Sequence, residues 1–171
     1  MSMDKAISNI TSDDYFKAVS GRLAALGFMI RHPESIGVFQ PDLIAEKHWS
    51  TFIFRQARWI VGASLDRANA ESVRTFSGAV LDYVNSLDPR AVWENGLNYV
   101  VPLVVSDDFD TDTRTWVTHS KPLLHYKVNV FPVLVALSDR ALLCYENTMT
   151  FDGGTFMMQR RFVDKYLSCK G

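Results

Sequence analysis

The sequence predicts an α/β domain with a mixed central sheet flanked by helices, and three observations carry that expectation. Segments with apolar residues at helical spacing alternate with apolar runs of strand length along the chain. Residues 97–105 are almost continuously apolar, the composition of a strand covered on both faces. The longest helical pattern, Val73, Phe76, Val80, Tyr83, Val84 and Leu87, ends at Asp88-Pro89, where proline cannot continue a helix.

Taken in order, residues 1–11 read as a loose lead-in to a single domain over 12–171. Thr11 or Ser12 caps a first helix, with Asp13 and Asp14 in the turn where the helix dipole favours negative charge. Phe16, Val19, Leu23 and Leu26 share one face of it, and Gly27 supplies the stop. Residues 28–30 begin a strand and 31–35 read as a turn. Two extended runs follow, 36–47 and 51–62, with His48-Trp49-Ser50 as the expected hairpin connection. A helix from Ala70 to Leu87 and the buried strand over 97–105 come next. A helix over 111–118, a second buried strand over 128–137, a shorter one over 141–145 and a closing helix over 155–167 complete the order.

The composition bounds the function. Forty-seven per cent apolar residues in a chain of 171 supply one sizeable core. Eighteen Lys and Arg against nineteen Asp and Glu leave a formal charge of −1, so any case for nucleic acid has to rest on a local basic patch. Cys144 and Cys169 have neither metal-ligand spacing nor the density of a disulfide scaffold, which fits a reducing compartment. No basic segment followed by an apolar one opens the chain, and no apolar run approaches bilayer length, so a cytoplasmic protein with no membrane partner is expected.

The stretch over 36–62 holds the most informative residues: Pro41-Asp42-Leu43-Ile44-Ala45 in one run, and Arg55, Gln56 and Arg58 interrupting the next. Together with a preceding helix ending in Leu26-Gly27-Phe28 and a following helix reading Val73-Arg74-Thr75-Phe76, it resembles the core of the PD-(D/E)XK, or restriction-endonuclease-like, nuclease superfamily. The resemblance covers roughly residues 12–137 in order and spacing, and only Pro-Asp matches a motif literally. It implies a restriction-endonuclease-like fold in which two acids hold a divalent cation that activates water, assisted by a lysine.

On that resemblance Asp42 is the first acid and Gln56-Ala57-Arg58 stands at the second motif, departing from it twice. Gln56 offers a neutral oxygen where a carboxylate is required, and Arg58 keeps a positive charge but cannot give up a proton near neutral pH. Glu71 is the favoured compensating acid, ahead of Glu46, Asp13 and Asp14. The implied catalytic set is therefore Asp42, Gln56, Arg58 and Glu71, with Mg²⁺ as cofactor held by Asp42 and Glu71. Each has a purely architectural alternative: Asp42 as a strand-entry residue, Glu71 as a complement to the helix dipole, Gln56 and Arg58 as partners of buried polar groups. The expected function is a non-catalytic binding module with a degraded or rearranged metal site and a nucleic-acid or protein partner. An active magnesium-dependent nuclease is the first alternative, and a self-associating, homo-oligomeric α/β domain the second.

Other constellations read as structure. Asp108, Asp110 and Asp112 resemble the start of a calcium loop, but Thr113 and His119 stand where glycine and a bidentate glutamate are needed, leaving a helix cap in an exposed acidic loop. His119, Lys121 and His125 lack zinc-ligand spacing. Asp152-Gly153-Gly154-Thr155 lacks the lysine and length of a phosphate-binding loop.

Overall fold

The computed structural model describes residues 10–51, 54–87, 96–125, 128–147 and 154–169. The elements are α1 (Ser12–Ala25), β1 (Met29–Arg31), β2 (Leu43–Thr51), β3 (Phe54–Ser64), α2 (Ala70–Leu87) and β4 (Gly96–Ser106). They continue as α3 (Thr111–His119), β5 (Leu123–His125), β6 (Val128–Val130), β7 (Val133–Ala136), β8 (Ala141–Cys144) and α4 (Thr155–Tyr166). β1, β2 and β3 form an antiparallel meander, and α2 crosses over so that β4 runs parallel to β3. β6 and β7 follow one another along the far edge of β4, both parallel to it, and each carries an antiparallel partner, β5 and β8. With β6 and β7 counted as one interrupted strand, this is a seven-stranded mixed sheet packed against four helices.

Helices cover both faces, as the sequence pattern requires. Phe16, Val19 and Leu23 of α1 and Phe156 and Val163 of α4 pack with Leu43, Ala45, Ile60, Val101 and Leu103 on one side. Val73, Phe76, Val80 and Val84 of α2 and Val117 of α3 pack with Ile44, Trp59, Val61, Val100 and Val104 on the other. The alternation along β2, β3 and β4 assigns each residue to a layer. α1 approaches β3 so closely that a Cβ on Gly62 would lie 2.4 Å from Cε1 of Phe16.

The caps follow the sequence. The Thr11 hydroxyl accepts from the Asp14 N–H at 3.1 Å, and Gly27 adopts φ +81° just beyond α1. Asp88-Pro89 lies outside the described residues.

Three expectations need correction, and one strand was missed. Residues 36–39 do not begin the strand: Ile36 and Phe39 bridge across a tight turn with Gly37 at φ +59°, and β2 starts only at Leu43. His48, Trp49 and Ser50 are not the hairpin turn; they pair with Ala57, Gln56 and Arg55 inside the ladder. His-Trp-Ser lacks the Gly, Asn or Asp that tight hairpin turns favour, and the aromatic Trp49 and β-branched Thr51 favour extension. The strand expected over 128–137 is interrupted at Phe131-Pro132: Phe131 still donates its N–H to the Val100 carbonyl at 2.8 Å, but at this level of the register neither Pro102 of β4 nor Pro132 has an N–H to give a ladder. β5 was not expected at all, being three residues long.

Candidate functional site

Asp42 sits at the mouth of β2, where its N–H donates to the Gly62 carbonyl at 2.8 Å. The Ser64 N–H and hydroxyl both donate to its Oδ2, each at 2.7 Å. The carboxylate thus ties the start of β2 to the end of β3. Gln56 and Arg58 lie toward the opposite end of the hairpin, paired with Trp49 and Lys47. Gly62, which pairs with Leu43, is six residues from Gln56, roughly 20 Å along the strand. The expected grouping of Asp42 with Gln56 and Arg58 is therefore not formed, and the cause is the register: with the turn beyond Thr51, the residues beside Asp42 are Gly62 and Ser64, neither of them acidic.

The remaining acids are distributed elsewhere. Glu71 is exposed on the first turn of α2. Glu46 is 2 % exposed and accepts from Arg31 at 2.9 Å, with the His48 ring 3.7 Å from its other oxygen. This bond is the largest of the effects that hold the Arg31 guanidinium above its usual pKa. Asp14 accepts from the Thr11 hydroxyl at 2.8 Å. Asp13 alone shares a cleft with Asp42, an open space of about 340 Å³ that Lys17 and Arg31 also line. Among the described residues no three His, Cys, Asp or Glu side chains converge to hold an ion. The pair assigned to Mg²⁺, Asp42 and Glu71, is not brought together, since Glu71 does not line the cleft beside Asp42.

What the sheet does assemble lies around Arg58. Cross-strand pairing places Lys47, Arg58, Tyr99 and Asn129 in one row over β2, β3, β4 and β6, on the face covered by α1 and α4. The Arg58 guanidinium stands 4.0 Å from the Phe162 ring centroid, 5.5 Å from that of Tyr99 and 5.8 Å from that of Trp49. Trp49 and Tyr99 stack with their planes 5° apart and their centroids separated by 6.1 Å. Lys47, half-buried at the end of the row, donates its Nζ to the Leu26 carbonyl and lies 5.9 Å from the Phe28 ring.

The electrostatics of this row are unbalanced. Among the described residues no carboxylate lies within ion-pairing distance of Arg58, and its buried Nε has no hydrogen-bond partner. Burial pushes its pKa down, and the Tyr99 hydroxyl only partly opposes that. The aromatic rings offset some of the desolvation but supply no counter-charge.

Two further side chains deepen the anomaly. Asn129 is wholly buried and Gln159 is 1 % exposed, yet neither amide has a partner for its nitrogen or its oxygen. Gln159 lies on the inward stripe of α4 between Phe156, which meets Phe131, and Phe162, which meets Arg58. Buried polar atoms are rarely left unpaired, so the row combines donors, acceptors and a cation that a ligand or ordered water would satisfy.

The sequence had marked Arg58 and Gln56, and both fall on this face; Gln56 is half-buried and Arg58 central. It had not marked Asn129 or Gln159. The available signal was a lone amide inside an apolar run, in Val128-Asn129-Val130 and one turn after Phe156. The acidic loop is explained locally: Asp110 caps α3 by accepting from the Thr113 N–H at 2.7 Å, and Asp108 accepts from Arg114 and from the Phe109 N–H. Those hydrogen bonds hold both carboxyls below their usual range. His119 closes onto Thr118 and the Thr115 carbonyl. Of Asp152-Gly153-Gly154-Thr155, only the last two fall within the described residues, and Gly154 at φ +78° begins α4 without a side-chain cap.

No helix among the described residues is long and apolar enough to cross a membrane. No protein-family model, curated protein or solved structure matches the chain.

Proposed function

We propose that this chain is a non-catalytic binding module on a restriction-endonuclease-like core, and that it holds a nucleic-acid strand at the outer end of the Lys47–Arg58–Tyr99 row. The order of helix, three antiparallel strands, crossover helix and parallel strand supports the core. The single observation that carries the ligand class is Arg58, a desolvated cation boxed by aromatic rings with no carboxylate among the described residues to neutralise it. A phosphate supplies the missing charge, while Trp49, half-buried at the rim, offers a base a face to stack on. Interleaved cations and aromatics on one sheet face suit a single strand better than a duplex.

The test is titration of a labelled oligothymidylate against the protein at several salt concentrations. Binding weakens with salt, and Arg58→Gln lowers the log–log slope by about 0.7, the contribution of one phosphate on a single strand. Trp49→Ala costs about 1–3 kcal/mol. Asp42→Ala leaves affinity unchanged. Absence of binding at low salt, or equal binding by Arg58→Gln, sinks the proposal.

One observation favours a magnesium-dependent nuclease instead: Asp13 and Asp42 line one cleft with Lys17. Plasmid cleavage with Mg²⁺ that disappears in both Asp13→Ala and Asp42→Ala would establish that reading over the first.

A further inference from the structure

On the other side of the sheet, α2 and α3 enclose a cavity of about 230 Å³ whose walls are mainly apolar. It is larger than the roughly 150 Å³ cavity that admits benzene, and so has room for one aromatic ring with a short substituent. The Trp116 ring forms one wall and Leu81 another, and Leu123, although 51 % exposed, turns toward the same space. Gly78 opens it: a Cβ there would meet nothing within 4 Å.

The charged groups lining it are of one sign. Among the described residues Arg74 and Lys121 line the cavity and no Asp or Glu does, and the Arg74 guanidinium stands 5.0 Å from the centroid of the Trp116 ring. Apolar walls with a few convergent polar groups are the usual make-up of a small-molecule site. Two cations beside a single-ring space select an anion carried on an apolar body.

We infer that this cavity binds a small aromatic carboxylate, its ring between Trp116 and Leu81 over Gly78 and its carboxylate at Arg74 and Lys121. The site lies on the α2–α3 face and uses none of the residues around Arg58. Its occupant is fixed by volume and charge together: the ring fills the space, and the carboxylate answers the two cations.

The experiment is calorimetric titration of the full chain with 3-phenylpropionate, and with 3-phenylpropan-1-ol as its uncharged counterpart. The acid binds saturably at one site, and the alcohol binds at least tenfold more weakly. Gly78→Leu, which fills the space, abolishes binding, whereas Gly78→Ala retains it. Both substitutions replace glycine in a helix, where either newcomer is the better helix former, so the fold is kept. The double variant Arg74→Gln, Lys121→Gln lowers affinity for the acid to that for the alcohol. The inference is overturned if the acid fails to saturate, if the alcohol binds equally well, or if Gly78→Leu binds like the wild type.

Discussion

Ser64 gives both of its donors, backbone N–H and hydroxyl, to a single oxygen of Asp42. That arrangement makes Asp42 a clasp between the start of β2 and the end of β3. Asp42→Ala should destabilise the fold by about 1 kcal/mol, the net contribution of hydrogen bonds to a charged acceptor at a solvent-exposed site. Ser64→Ala, which keeps the backbone bond, should cost less. Urea denaturation of the two variants checks the order, and equal stability of Asp42→Ala and wild type would refute the clasp.

Gly62 lies beside that clasp and under Phe16. Because a Cβ at Gly62 falls 2.4 Å from the Phe16 ring, Gly62→Ala should cost about 1–3 kcal/mol through overpacking between α1 and β3. Phe16→Leu in the same background should recover part of the loss. The coupling is read from a double-mutant cycle, and simple additivity would mean that the two do not meet.

The unpaired amide of Gln159 leads to a stability prediction of the opposite sign. Gln159→Met preserves length and removes two buried polar atoms that have no partner. It should raise stability by about 1–2 kcal/mol in the absence of ligand. A loss of stability in thermal melts would show that the amide is satisfied, for example by ordered water.

Burial pushes the Cys144 thiol up to about 12 from its ordinary value of 9.0. Between those two values the unfolded chain has released a proton that the folded chain still holds, so stability is complete below about pH 9 and falls as pH rises toward 12. The slope of this one group approaches about 1.4 kcal/mol per pH unit. Tyr83, raised to about 12 by burial and then by its bond to Glu34, adds to the fall only above pH 10. Urea midpoints at pH 9 and pH 10 should therefore converge in Cys144→Ala relative to wild type.

Local signals in the chain were enough for α1, whose Thr11 cap and Phe16, Val19 and Leu23 stripe are found as read. They were enough too for α2, with its inward Val73, Phe76, Val80 and Val84, and for the buried β4. The hairpin was not legible because its turn is set by pairing rather than by turn residues: Trp49 and Ser50 find partners in Gln56 and Arg55, and the connection moves past Thr51. That displacement separates Asp42 from Arg58. A row such as Lys47–Arg58–Tyr99–Asn129 joins four strands drawn from across the chain, so it exists only once the register is fixed. No spacing rule in one dimension contains it.

The break at Phe131-Pro132 has a consequence for how the sheet meets other molecules. By splitting one margin into two directions, it ends the sheet in β5 of three residues and β8 of four, while the opposite margin is β1, also three. The two eleven-residue strands, β3 and β4, are kept inside. With a net charge of only −1, electrostatic repulsion between copies is weak. At β5, β8 and β1 short rims therefore do what charge does not, limiting the backbone a second sheet could extend, whereas β2 runs on past β1 from Lys47 to Thr51.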